Sequence, residues 1–245
     1  TKLCRPPPHC GRADVEDCRY SGTRFFIAVA DPSAEEQFLL ELVNDARLDP
    51  MGNAARYITS YTPLGSIDPA IQNALDYFKV SGPKLLDAYK ALSPVEPLAW
   101  NSNLANMADS HNASMIKFDT QSHQTPEEGT LGSRATAAGY IFRHVGENVY
   151  AFAQNILHAH AGFMVDWGNG PDGMQSPAGH RSNIMSSVYR EIGISVTEES
   201  SNSTNVGPLV ITQEFGNRNL LFLTGVAYND SDGNSFYSID EGVAG

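Results

Sequence analysis

Strand-like alternation is confined to the end of this chain, and that placement limits what it can fold into. "EIGISV" (191–196) and "PLVITQEF" (208–215) alternate apolar with other residues, and "LLFLTGVAY" (220–228) is a third strand-like run. Upstream, apolar residues recur at helical spacing instead. Helices followed by clustered strands argue for an α+β fold with an antiparallel sheet.

The helices carry readable start signals. In "PSAEEQFLLELVNDAR" (32–47), Ser33 and Glu36 form a capping box ahead of Phe38, Leu39, Leu42, Val43 and Ala46. Residues 62–97 hold two weaker patterns, Ile71/Leu75/Phe78 and Leu85/Leu86/Tyr89, cut by Pro63, Pro69, Pro83, Pro94 and Pro97, and read as an inserted helical hairpin. In "WNSNLANMADSHNASMIKF" (100–118), Asn101 caps a stripe of Leu104, Met107, Ala108, His111, Met115 and Phe118, so His111 points inward. A further helix runs from Asn155 through Ile156, His160, Phe163, Met164 and Trp167 until "GNGPDG" stops it. "SPAGHRSNIM" (176–185) reads as a short helix with Ser176 as N-cap and Pro177 in its first turn; His180 and Ile184 share its inward face.

Acidic residues outnumber basic ones 28 to 16, and a net charge of −12 disfavours nucleic acid or an anionic membrane as partner. No window approaches the roughly 18 apolar residues of a transmembrane span. The chain opens at Thr1 with no charged-then-apolar leader, so its N-terminus says nothing of localisation. All three cysteines, Cys4, Cys10 and Cys18, fall in a Pro-containing arm (1–32). One disulfide with an odd thiol suits an oxidising compartment, and a zinc knot that adds His9 is the alternative.

No G-x-S-x-G, H-E-x-x-H or P-loop is present, so serine-elbow and zincin hydrolase readings lose most of their weight. What remains is His111, His123, Glu147 and His180. A lone inward histidine is more often a hydrogen-bonded core residue than a ligand or base, and His158 and His160 are read that way. Asp166, beside Trp167, is expected to face solvent.

Seven segments, "LLELVNDAR", "PLAWNSNLANMADSHNASM", "SHQTPEEGTLGSRATAAGY", "GENVY", "SPAGHRSNIM", "REIGISV" and "VITQEFG", follow one another in the order seen in bacterial members of the CAP superfamily. This SCP-like superfamily includes cysteine-rich secretory proteins, venom allergens and plant pathogenesis-related proteins. The resemblance covers roughly residues 33–219. It implies an α-β-α sandwich around an antiparallel sheet, secreted or at the cell surface, with a cleft that in eukaryotic members holds two histidines, two glutamates and sometimes a divalent metal.

Carried over by position, His123 in "SH" and Glu147 in "GEN" match the first cleft histidine and glutamate. Val210 stands where the second histidine would be and Gly170 where the second glutamate would be. Bacterial relatives place histidines instead at positions that match His111 and His180. The implied cleft is His111, His123, Glu147 and His180, with Arg181 and Gln213 beside them. Its three imidazoles suit zinc or another divalent cation, or else a hydrogen-bonded network.

The domain is expected over 33–224, followed by an acidic tail (225–245) in which Asp230, Asp232 and Asn234 alternate ahead of Asp240 and Glu241. That spacing resembles a calcium loop, and the run resembles the opening of the calcium-binding β-sandwich repeats of bacterial surface proteins. The expected function is binding of a small molecule, lipid or peptide in the cleft. A metal-dependent hydrolase with Glu147 as base, or an adhesive surface module, is the alternative.

Overall fold

The computed structural model of the chain describes residues 31–201 and 203–243. Cys4, His9, Cys10 and Cys18, with the expectations placed on them, lie outside the described residues. Helix α1 (Ala34–Leu48) starts as its sequence dictates, the Ser33 hydroxyl accepting from the Glu36 N–H and the Glu36 carboxylate from the Ser33 N–H. Its face of Leu39, Leu42, Val43 and Ala46 is buried. After α2 (Pro50–Ala54), a hairpin of β1 (Ile58–Tyr61) and β2 (Leu64–Ser66) leads into α3 (Pro69–Phe78) and α4 (Gly82–Lys90). The expected helical pair is therefore present, with a two-stranded entry that periodicity did not reveal.

The main sheet joins β3 (Ala99–Trp100), β4 (His144–Ala153), β5 (Glu191–Glu198) and β6 (Leu209–Asn217) in the order β3-β5-β6-β4. It is antiparallel except at β3, which runs parallel to β5. On one face lie α5 (Ser102–Lys117), capped by Asn101, and α6 (Leu131–Ala137). On the other lie α1, α7 (Ile156–Ala161) and α8 (Gly179–Ile184). Strand alternation sorts the side chains between these layers. Ile192, Ile194, Ile211 and Phe215 join α1 in the main core, whereas Val149, Ala151 and Val210 pack with Met115 of α5. The result is the α-β-α sandwich. Gly193 lets α5 approach this closely, because a Cβ there would lie 2.0 Å from the Ala105 nitrogen.

Four local expectations are corrected. "LLFLTGVAY" forms no strand; Leu221 and Leu223 are 92% and 104% exposed. β propensity is realised only against a partner, and β6 already has strands on both sides. Helix α8 begins at Gly179 with Ala178 in the cap position, so Ser176 caps nothing. The helix from Asn155 is α-helical only to Ala161 and then widens into a π turn, Gly162–Asp166. That turn leaves Asp166 at φ 58° and fully buried rather than facing solvent.

Candidate functional site

Glu147 and Asn148 are adjacent on β4, so their side chains leave opposite faces of the sheet. Glu147 enters the layer of α5 and α6, where it accepts from His123 Nδ1 at 2.8 Å and from Arg134 Nη2 at 2.6 Å. His111 on α5 brings Nε2 to 3.6 Å from the same carboxylate. Its ring is buried between two acceptors, with Nδ1 donating to Glu128 at 2.8 Å and Nε2 to the Ser122 carbonyl at 2.9 Å. Across the ladder, Glu214 pairs with Glu147 and accepts from Arg134 at 3.4 Å.

The two carboxyls are driven apart. Burial raises Glu147, but the hydrogen bond from His123, the adjoining Glu214 carboxyl and the charges of His111 and Arg134 outweigh it and bring it down to about 2. Burial raises Glu214 well above the usual carboxylate range, and the neighbouring Glu147 charge raises it further. The two carboxyls thus titrate in opposite directions, and Glu214 Oε2 is buried with no hydrogen-bond partner. Burial likewise raises Glu128, and its bonds from His111 and Thr125 bring it below the usual range.

Asn148 enters the opposite layer. Its amide donates to the His180 carbonyl at 3.2 Å and to Gln213 Oε1 at 3.0 Å, and Asn183 of α8 donates to the Glu147 carbonyl and to Asn148 Oδ1. Arg181 donates to the Met164 and Val165 carbonyls at 2.8 and 3.0 Å, which ties α8 to the π turn. Asp166 accepts from His180 Nδ1 at 2.8 Å and from the N–H groups of His180 and Arg181 at 3.0 and 3.3 Å. His180 lines a cavity of about 790 Å³ whose walls include Tyr77 and Phe78 of α3, Tyr150 of β4, Trp167 and His158.

His111, His123 and Glu147 are therefore brought together, and His180, Arg181 and Gln213 lie behind the sheet from them. The expected single cleft divides between two faces because residues 147 and 148 alternate. His160 is a core residue, buried with Nε2 on Asn53 Oδ1 at 2.8 Å and pushed down to about 3 by burial. His158 is packed against Trp167 but also lines the cavity, and burial lowers it as well.

The family model of the CAP cysteine-rich secretory proteins matches residues 40–215. The chain belongs to the CAP family. Among solved structures, it is similar to an extracellular protein with an SCP domain from Bacillus anthracis, at 23% identity and a TM-score of 0.40 over 63% of this chain and 45% of that one. It is similar also to an outer surface protein of Borrelia burgdorferi, at 13% identity and a TM-score of 0.40 over 63% of this chain and 96% of that one. A cysteine-rich secretory protein of Staphylococcus aureus gives 19% identity and a TM-score of 0.34 over 60% of this chain and 38% of that one. No curated protein matches the chain. It spans less than half the length of the Bacillus and Staphylococcus proteins.

The histidines of this CAP domain do not fit a shared divalent cation. Both His111 nitrogens are engaged, by Glu128 and the Ser122 carbonyl, and His180 is on the other face, so among the described residues these histidines do not bring their nitrogens together as a metal site. Among the described residues, the group whose carboxylates could share an ion is Asp230, Asp232 and Glu241, with ligand atoms within 4.8 Å of one another. Asn234 donates to Asp232 at 2.8 Å, and Asp240 stands outside the group.

Residues that the sequence did not assign to the site complete both faces: Glu128, Arg134 and Glu214 on one, Asp166 and the α3 rings on the other. Glu214 shares the strand parity of Val210, so its face was readable once β6 was identified. Asp166 had no such signal, because its role depends on a turn that breaks helical periodicity.

Proposed function

We propose that this CAP domain is an extracellular binding module that takes a small, largely apolar ligand in the cavity beside His180. The cavity carries the reading: about 790 Å³ walled by Tyr77, Phe78, Tyr150 and Trp167, with two imidazoles and the side-chain amides of Asn73, Gln121, Gln154, Asn169 and Gln175 as its polar groups. Ligand sites are characteristically concave, a few hundred to a thousand Å³, apolar, and furnished with a few fixed polar groups. The secretory character of the family supports an extracellular setting. Among the described residues, no helix is long and apolar enough to cross a membrane. The buried charges around Glu147 act as the frame that holds β4, the cavity's floor, against α5 and α6.

Naphthalene is a suitable probe, measured by equilibrium dialysis. Ala74 lines the cavity from α3, and Ala74→Trp should fill it, weakening naphthalene binding at least about tenfold without changing the melting temperature. Equal binding by the wild-type and filled proteins would place the probe elsewhere and overturn the assignment.

A further inference from the structure

We infer that this cavity selects ligands that present a hydroxyl or N–H donor to Nε2 of His180, and that Asp166 sets the preference through the tautomer it imposes. The inference rests on the cavity being the binding site and adds the ligand's polar end. An ionised carboxylate only accepts, so Nδ1 of His180, 2.8 Å from Asp166 Oδ1, carries the proton. In the neutral ring, Nε2 is then a lone-pair acceptor. Among the described residues it has no protein partner, and the ring lines the cavity.

The surroundings hold that ring in one orientation. Asp166 is fully buried and sits at φ 58° at the end of a π turn, two costly features that concentrate at functional sites. Arg181 holds the turn through two of its carbonyls, and Phe163 meets the His180 ring edge-on at 5.4 Å. The second imidazole of the cavity has the opposite tautomer. His158 Nδ1 accepts from the Gln154 N–H at 3.2 Å, so its Nε2 carries the hydrogen. Beside the side-chain amides of its lining, the cavity thus bears one acceptor ring and one donor ring.

Asp166→Asn reverses the first of these in a defined way. Oδ2 of Asp166 accepts both α8 N–H groups, so the asparagine oxygen must take that place and its NH₂ must face His180 Nδ1. Nδ1 then accepts, the proton moves to Nε2, and the ring presents a donor to the cavity. The test compares 2-naphthol, which donates, with 2-acetonaphthone, which only accepts, by equilibrium dialysis at pH 7.5. Wild-type protein should favour 2-naphthol by about tenfold, the scale of one good hydrogen bond. Asp166→Asn should bring that ratio to one or below. His180→Leu should erase the preference while 2-acetonaphthone still binds, and it serves as the second variant if Asp166→Asn melts early. Equal wild-type affinity for both probes overturns the donor rule and leaves the cavity assignment standing, as does a wild-type ratio retained in a natively folded Asp166→Asn. Binding of neither probe overturns both.

Discussion

Two carboxyls that face each other across β4 and β6 cannot both ionise at low cost, and the Glu147–Glu214 pair resolves this by opposed shifts, Glu147 down and Glu214 up. The two groups contribute to stability with opposite signs. Glu147 has a folded value near 2, below its unfolded value, so its contribution is present above about pH 4.5 and is lost as pH falls toward 2. Glu214 has a raised folded value, so its contribution is full below about pH 4.5 and is lost as pH rises through that raised value. Glu214→Gln removes the ionisable group and keeps the side-chain shape. It should raise stability at pH 8 relative to the wild type, with little change at pH 4. Glu147→Gln strands Arg134 and His123 and should cost about 3 kcal/mol at pH 7 while flattening the acid limb. Urea titrations from pH 2 to 8 read both, and parallel pH profiles for the two variants would refute the opposed shifts.

Caps show at the level of the element what a linear sequence can and cannot reveal. Ser33 with Glu36 and Asn101 with Asn103 and Leu104 were legible because donor and acceptor lie within three positions. The cap of α8 was not, because Asp166 stands 14 residues before His180 and reaches it through the π turn. Ser176 offered a plausible local alternative, which the chain does not use. Asp166→Ala should therefore cost on the order of 1–2 kcal/mol, and Ser176→Ala less than about 0.5. Chemical denaturation of the two variants decides between the remote and the local cap, and equal losses would restore Ser176. The same distance explains the site. Residue types in "SH", "GEN" and "GHR" were readable, but the face each one joins depends on strand parity and on a turn outside any period.

For the whole molecule, the resemblance of seven segments, in order, to the CAP superfamily was enough to indicate the family and the sandwich, although no one piece was specific by itself. The docking of the tail was not legible, because Phe236 and Tyr237 sit in an acidic run with no periodicity. In the structure its ring meets Phe38 of α1 edge-on at 6.3 Å, and the Arg56 guanidinium lies 3.6 Å over it while also pairing with Asp45 at 2.7 Å. Tyr237 beside it is buried, and a bridge from Tyr228 to Gly242 closes the loop. This aromatic and cation–π clamp, rather than the acidic groups, anchors the segment to the domain. Phe236→Ala should open it, raising the rate of limited proteolysis within 229–242 by about tenfold while residues 33–217 stay resistant, the change expected for ~1.4 kcal/mol of lost docking. The calcium expectation is tested in the same digestion. Asp230, Asp232 and Glu241 repel one another without a cation, and oxygen ligands of this kind bind calcium at 10⁻⁴–10⁻³ M in extracellular modules, so millimolar calcium should slow cleavage relative to excess chelator. Cleavage patterns that are identical with calcium and with chelator would remove the ion from the account and leave the clamp. An unchanged pattern in Phe236→Ala would remove the clamp.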